Sequence, residues 1–154
     1  MQKKIVQALL NKNLRLSTAE SFTAGNIAST IISVSGASRV FYEGLVCYNT
    51  QAKIDRLKVE EKTVEEFGVV SEQVARQMID GLLATNNCDI ALSTTGYADA
   101  TQDGGAVGLT YIAVGDKSVT IVEENSFCGT REQITSRATQ RALEILLKFI
   151  NERK

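Results

Sequence analysis

The side chains best suited to chemistry in this sequence are a serine at a predicted strand-to-helix turn and a tyrosine and a lysine further along. Ser21 lies in the stretch 18–25, which a short extended segment precedes and a helical apolar pattern follows. Such a turn presents free backbone N–H groups and the positive end of the helix dipole to an anion or a developing oxyanion. Ser21 could act there as nucleophile or ligand, although residue type alone favours an ordinary helix N-cap.

Tyr48 and Lys53 lie on either side of another predicted strand-to-helix junction. Taken alone, Tyr48 would be a strand end that packs on the core, and Lys53 a solvated helix lysine. The sequence contains no histidine, so a general base must be lysine, tyrosine, aspartate, glutamate or cysteine, and a Ser-His-Asp triad is excluded. A lysine can serve as that base when burial lowers its pKa.

Composition excludes several other classes of function. The formal net charge of −1 gives no basic surface for nucleic acid, and no apolar run approaches the length of a membrane span. Three widely spaced cysteines without histidine argue against a metal site of the Cys/His kind, and we expect reduced thiols and a cytoplasmic location. The expected ligand is a small molecule, with no cofactor and no metal.

Hydrophobic periodicity predicts helices and strands that alternate along the 154 residues, closed by a hairpin and a helix. That alternation indicates an α/β fold, a three-layer α/β/α sandwich over a mixed, mainly parallel sheet, as a single domain over residues 1–154. Helices are expected at 2–13, 26–33, from 49, 58–68, 71–86 and from 130; strands are expected at 13–17, 40–48, 89–94, 108–114 and 118–123.

Loops at the carboxyl ends of parallel strands share one rim of the sheet, where ligands usually bind. The Ser21 turn, the Tyr48–Lys53 junction and the long loop 95–105 all follow predicted strands. Thr95 and Gly96 could be turn residues or a backbone anion site. Arg131 lies in the first turn of the last helix, where the dipole disfavours a cation, so a phosphate-binding role is more plausible than a stabilising one.

The order of short motifs resembles the CinA C-terminal domain family, which includes stand-alone nicotinamide-nucleotide amidases. The matching pieces run through almost the whole chain: Ala19-Glu20-Ser21-x-Thr23-x-Gly25, Gly36-Ala37-Ser38, Gly44-x-Val46-x-Tyr48-Asn49 with Lys53, Gly68-Val69-Val70-Ser71, Thr95-Gly96, Val107-Gly108 and Gly129-x-Arg131. The resemblance implies a single domain of this kind, without the additional N-terminal domain of full-length CinA proteins, and a homo-oligomer.

The resemblance also implies an activity, the metal-independent hydrolysis of nicotinamide mononucleotide to nicotinate mononucleotide and ammonia. By position, the family's catalytic serine, lysine and tyrosine correspond to Ser21, Lys53 and Tyr48. Backbone N–H groups after Ser21 would then stabilise the oxyanion, and Glu20 would orient a neighbouring amide or hydroxyl. We assign substrate-binding roles to Glu20, Thr23, Gly25, Thr95, Gly96, Asp99, Gly105 and Arg131.

The sequence departs from the family pattern in two segments. Phe22 and Ala24 replace the usual cysteine and glycine, and Tyr97-Ala98-Asp99-Ala100 replaces Ile-Ala-Gly-Pro. Gly105-Ala106 replaces the Lys-Pro that usually precedes Val-Gly. Asp99 adds a negative charge to a loop that is expected to approach a phosphate, so repulsion is predicted to weaken binding of the mononucleotide. Two functions stay open: an amidohydrolase, or a catalytically weak relative that binds a nucleotide-like ligand.

Overall fold

The computed structural model describes residues 1–100 and 104–153, which form a five-stranded sheet with helices on both faces. The strand order is β2-β1-β3-β4-β5. Strand β1 pairs in parallel with β2 and β3, whereas β4 is antiparallel to both β3 and β5. Among the described strands only β4 is therefore reversed, which confirms the predicted mixed, mainly parallel sheet.

The elements follow one another as the periodicity predicted, with small shifts at their ends. The helices are α1 (Gln2–Lys12), α2 (Asn26–Ile32), α3 (Thr50–Leu57), α4 (Glu61–Phe67), α5 (Glu72–Leu83) and α6 (Arg131–Glu152), with a 3₁₀ turn at Ala37–Arg39. The strands are β1 (Leu16–Glu20), β2 (Phe41–Val46), β3 (Ile90–Gly96), β4 (Leu109–Gly115) and β5 (Thr120–Ser126). A capping box formed by Thr130 and Gln133 begins the last helix.

Each face of the sheet has its own apolar core, as the three-layer fold requires. Helices α1, α2 and α6 cover one face, where Leu9, Ile27 and Leu146 are fully buried. Helix α5, with α3 and α4 against it, covers the other face around Met78 and Ile79. In the described residues, none of the helices combines the length and apolar character that a membrane span requires.

Three local predictions were wrong. Strand β1 begins three residues later than expected and continues to Glu20, because its polar residues Ser17 and Thr18 are buried. The helical apolar pattern after the Ser21 turn consists of residues 27, 28, 31 and 32 and predicts that Ile32 is buried, but Ile32 is 56% exposed. Thr95 and Gly96 belong to β3 rather than to the loop, since their ladder with β4 continues to the pair Gly96–Thr110. Residues 101–103 of the predicted loop lie outside the described residues.

Gly81 allows α3 and α5 to approach closely, and α3 carries Lys53. A Cβ atom at position 81 would lie 2.1 Å from the backbone oxygen of Leu57, the last residue of α3. No side-chain rotation can relieve a clash with backbone, so any side chain here must push the two helices apart. The close contact therefore fixes the end of α3 against the core.

We predict that Gly81→Ala lowers the free energy of unfolding by about 2 kcal/mol or more, because overpacking at a rigid contact costs roughly 1–3 kcal/mol and here the neighbour is backbone. Helix propensity alone predicts the opposite sign, a gain of up to about 1 kcal/mol. Urea unfolding of the two proteins distinguishes these outcomes. A variant as stable as the parent would show that α3 is not held in this position.

Candidate active site

The carboxyl ends of β1, β2 and β3 meet at one edge of the sheet and enclose a cleft of about 220 Å³. The cleft is lined by side chains from all three junctions and from the start of α6, among them Ser21, Tyr48, Lys53, Thr95, Asp99 and Arg131. The rim predicted from the parallel strands is therefore present. It brings six of the proposed site residues to one cavity, together with Gly96 at the end of β3.

Lys53 is the largest fully buried side chain of the described residues, with only 1% of its surface exposed. Its Nζ lies 2.9 Å from Ser21 Oγ, 2.7 Å from the carbonyl oxygen of Cys47 and 3.2 Å from that of Tyr48. Three acceptors satisfy the three N–H bonds of the ammonium form. In the neutral form, two N–H bonds can keep the carbonyls while the lone pair accepts the Ser21 hydroxyl proton.

Burial lowers the pKa of Lys53 to about 8, because the charged form loses its hydration. Within the described residues Lys53 forms no ion pair that would restore its charge. The neighbouring Cys47 thiol is buried as well, and its pKa is raised mainly by that burial. In the same part of the chain, no group of three or more histidine, cysteine, aspartate or glutamate side chains is placed to hold a metal ion.

The turn that holds Ser21 is fixed by Glu20, whose side chain points back under α2. Its two carboxylate oxygens accept the backbone N–H groups of Ile27 and Ala28 at 3.0 and 2.9 Å. A carboxylate at a helix N-terminus is favoured by the dipole and by the unpaired amides of the first turn. Glu20 is 1% exposed and does not line the cleft, so the structure gives it a positioning role rather than the predicted contact with substrate.

The interpretation of Ser21 as a helix N-cap is wrong. The N-cap of α2 is Gly25, at φ +87°, and no side chain caps the helix there. Ser21 instead follows β1 directly, 6% exposed, with its hydroxyl on Lys53. Thr23 and Gly25, predicted to bind substrate, shape this turn and do not line the cleft.

Sequence reasoning missed Thr94, a fully buried residue of β3 that secures the turn. Its Oγ1 accepts the backbone N–H of Ser21 at 3.5 Å and shares a hydrogen bond of 2.8 Å with Thr23 Oγ1. The two-residue period of a strand places Thr94 on the same face as Leu92, toward α2, and that signal was available in the sequence. Within the described residues, the amides of Phe22, Thr23 and Gly25 donate no hydrogen bond, and of these three residues Phe22 lines the cleft.

Tyr48 contributes to the site in two ways, neither of which is a contact of its phenol with Ser21. Its carbonyl accepts from Lys53, while its side chain is 61% exposed. The phenol lies beside the guanidinium of Arg131, where it and the Asp99 carboxylate raise the pKa of Arg131. Arg131 Nε also lies 3.5 Å from Asp99 Oδ2. These three residues therefore interact across the mouth of the cleft.

The contacts of Thr95, Gly96 and Gly105, which were also predicted to bind substrate, stabilise the loops and strands around the cleft. Thr95 Oγ1 donates to the carbonyl of Val69 at 2.9 Å, which fastens the segment before α5 to the rim. A Cβ at Gly96 would lie 2.8 Å from the Phe22 ring and 2.7 Å from Thr110 Cγ2. A Cβ at Gly105 would overlap the ring of Tyr97. Both glycines thus make room for aromatic rings, and Gly105 does not line the cleft.

We predict that Thr94→Val lowers the free energy of unfolding by about 1–2 kcal/mol, because its hydrogen bonds in the turn are lost. Displacement of Ser21 should also reduce kcat against any substrate of the site. Thr110→Val is the matched control, since Thr110 is equally buried on β4 and its hydroxyl has no partner within the described residues. That variant should be neutral or stabilising. Equal effects in the two variants would contradict the assigned role of Thr94.

We also predict that Glu20→Gln costs about 2 kcal/mol of unfolding free energy. A neutral amide offers one acceptor oxygen and turns its NH₂ group toward the second helix amide. Glu61→Gln is the control, because Glu61 lies in the first turn of α4 on the surface and should lose only about 0.5 kcal/mol. Denaturant unfolding of both variants measures the difference, and similar losses would mean that the buried contact adds nothing.

Several known proteins are similar to this chain. A competence-damage inducible protein of Caldicellulosiruptor saccharolyticus is 42% identical over 152 residues, covering 97% of this chain and 37% of that protein. A CinA-like protein of Fusobacterium nucleatum is 44% identical over 145 residues, covering 92% of this chain and 35% of that protein. The chain thus spans little more than a third of the length of these relatives.

Solved structures agree with the fold. A competence damage-inducible protein from Klebsiella pneumoniae superposes with a TM-score of 0.94 at 28% identity, covering 99% of this chain and 96% of that one. A competence/damage inducible protein from Agrobacterium tumefaciens gives 0.91 at 31% identity, with 98% and 93% covered. The family described as the CinA C-terminal domain matches residues 1–150. The chain therefore belongs to the CinA C-terminal domain family.

Proposed function

We propose that this chain is an amidohydrolase that removes ammonia from the carboxamide of a pyridine nucleotide, with nicotinamide mononucleotide as the first substrate to test. The observation that carries the proposal is the hydrogen bond of 2.9 Å between Lys53 Nζ and Ser21 Oγ, in a place where burial lowers the pKa of the lysine. A serine with an adjacent base is the basic arrangement of covalent acyl transfer. The resemblance of the sequence to nicotinamide-nucleotide amidases supplies the substrate class.

In the first half of the reaction, neutral Lys53 takes the proton of the Ser21 hydroxyl while Oγ attacks the carboxamide carbon. The tetrahedral oxyanion that forms requires a donor, and the unpaired amide of Phe22, which lines the cleft next to Ser21, is the candidate. Lys53, now an ammonium, returns its proton to the departing nitrogen. Ammonia leaves, and the substrate acyl group stays on Ser21 as an ester.

In the second half, Lys53 is again neutral and takes a proton from water, whose oxygen attacks the ester carbon. The carboxylate product leaves as the Ser21 oxygen regains a proton from Lys53. The two backbone carbonyls that hold Nζ need not move in either half, since the amine always keeps at least two N–H bonds. Tyr48 acts through its carbonyl and through Arg131 in this scheme, rather than as a direct proton relay to Ser21.

The cleft suits a flat aromatic carboxamide. Phe22, Tyr48 and Tyr97 line it with rings, and Val69 and Val70 add apolar surface next to the polar groups. A pyridine ring can be buried between such groups while its carboxamide reaches Ser21. A single-domain arrangement, a homo-oligomer and a cytoplasmic location stay predictions that accompany this proposal.

A second candidate is a catalytically weak relative that binds a nucleotide-like ligand. The observation in its favour is that Arg131, the cation available for a phosphate at the cleft, already pairs with Asp99. An assay of ammonia release from nicotinamide mononucleotide distinguishes the two, with Ser21→Ala as the blank. Binding without release of ammonia above that blank would favour the second candidate.

We predict that Ser21→Ala and Lys53→Met each lower kcat by roughly 10³-fold or more, and that the double variant is no worse than either. The effects should not add because the two side chains act as one unit. Lys62→Met removes an exposed lysine of α4 and should leave activity unchanged. A Lys53→Met protein with normal kcat would remove the lysine from the mechanism.

We also predict that kcat/KM rises with pH through a group with a pKa of about 8, the value to which burial lowers Lys53. The direction follows from the role of base: below this pKa Lys53 is an ammonium and cannot accept the Ser21 proton, whereas above it the neutral amine predominates. A rate profile from pH 6 to 10 measures this dependence. A flat profile, or one that falls through pH 8, would contradict the proposal.

A further inference from the structure

We propose that the Asp99–Arg131 pair makes this site selective for pyridine carboxamides that carry a phosphate-free sugar, of the nucleoside kind, over their 5′-phosphates. The inference rests on the proposed function and changes its preferred substrate from the nucleotide to the corresponding nucleoside. It depends on the charges at the mouth of the cleft, on the way in which Asp99 is held there, and on the lining of the groove that continues beyond Arg131.

The carboxylate of Asp99 is fixed at both oxygens. Oδ1 accepts the backbone N–H of Ala100 at 2.9 Å, and Oδ2 lies 3.5 Å from Arg131 Nε. Asp99 lines the same cleft as Ser21 and Lys53, so its charge faces any ligand bound there. A ligand phosphate that approached Arg131 would meet this carboxylate at close range and would have to displace it or share the guanidinium with it.

The described residues of the cleft offer no other cation to compensate. Lys53 is 1% exposed and its amine is held by Ser21 and two carbonyls, so it is not free to meet a phosphate at the exposed Asp99–Arg131 pair. The remaining charges at the mouth are those of Asp99 and Arg131, which cancel. A dianionic phosphate is therefore offered no net positive charge, whereas a carboxylate next to a guanidinium can accept and donate hydrogen bonds to sugar hydroxyls.

A larger groove of about 1000 Å³ adjoins the cleft between α2 and α6, and both cavities are lined by Phe22 and Arg131. Its lining is mainly neutral hydroxyl and amide side chains, including Asn26, Ser29 and Ser136. The one ionic group that it adds to the shared Arg131, among the described residues, is the carboxylate of Glu132. A ligand that extends from Ser21 past Arg131 would thus enter a surface suited to hydroxyl groups and not to a phosphate.

The test is calorimetric binding of nicotinamide riboside and nicotinamide mononucleotide to the full chain carrying Ser21→Ala, so that neither ligand is consumed. The ratio of the two Kd values is compared in Ser21→Ala, in Ser21→Ala with Asp99→Asn, and in Ser21→Ala with Glu144→Gln. The last is the matched control: Glu144 is a partly exposed carboxylate paired with Arg141, about 20 Å along α6 from Arg131. It changes the net charge by the same amount.

We expect the Ser21→Ala protein, which keeps Asp99, to bind the riboside at least as tightly as the mononucleotide. Addition of Asp99→Asn should lower the Kd for the mononucleotide by roughly tenfold or more and change the Kd for the riboside by no more than about twofold. Addition of Glu144→Gln should leave the ratio of the two Kd values unchanged. The inference would be overturned if the Ser21→Ala protein bound the mononucleotide tenfold more tightly than the riboside. It would also be overturned if Asp99→Asn left the ratio of the two Kd values unchanged.

Failure of the proposed function is separately visible in ammonia release by the wild-type chain. Preferred binding of the riboside without release from either ligand would refute the amidohydrolase and leave the selectivity standing. Release from both ligands with a tenfold higher kcat/KM for the mononucleotide would support the enzyme and refute the selectivity. If neither ligand binds to any of the variants and the wild-type chain releases no ammonia from either, both proposals fall.

Discussion

The site depends on one constraint: the Lys53 amine is buried away from water and has no anionic partner among the described residues. Two backbone carbonyls and one hydroxyl surround Nζ, and these acceptors satisfy its hydrogen bonds without supplying the charge that an ion pair would. A carboxylate in their place would favour the ammonium form and abolish a base near neutral pH. The close contact at Gly81 and the carbonyls at the end of β2 keep α3 where this arrangement is possible.

The Ser21 turn is held by buried polar contacts. It also contains a strained residue, Ala24, and a buried aromatic residue, Phe22. Ala24 has φ +54°, a conformation that costs a residue with a Cβ about 1–2 kcal/mol. Phe22, two positions earlier, is 6% exposed in a small cluster with Ala98, Ile134 and Ala138. Burial of an aromatic side chain contributes about 1.5–3 kcal/mol, so its packing on α6 can offset the strain. This turn is therefore tied to α6 as well as to the sheet.

The sequence predicted the order and type of the elements because helical and strand periodicities are local. It misplaced β1 because Ser17, Thr18 and Glu20 are polar in a strand that is fully buried, and hydropathy cannot indicate that. Ser21, Lys53 and Tyr48 could be selected from their types and motif order. The burial of Lys53, the bridging role of Thr94 and the turn of Glu20 under α2 could not, because each depends on which neighbours the packed sheet and helices supply.

The pairing of Asp99 with Arg131 changes how the Asp99 charge acts on a ligand. From the sequence, an unpaired carboxylate would repel a phosphate about 5 Å away by about 3 kcal/mol at an effective dielectric of 20. In the structure the carboxylate is paired with Arg131, and both side chains are more than half exposed, so the ion pair itself stabilises the fold very little. Its effect is on the ligand: the pair converts the guanidinium from a cationic site for phosphate into half of a dipole. Solvent screens the repulsion between Asp99 and the phosphate. The pairing also removes the attraction of Arg131 for the phosphate, which would have offset the cost of desolvating the phosphate. The proposed discrimination against phosphate therefore depends mainly on the pairing of Arg131 with Asp99, and less on direct repulsion between Asp99 and the phosphate.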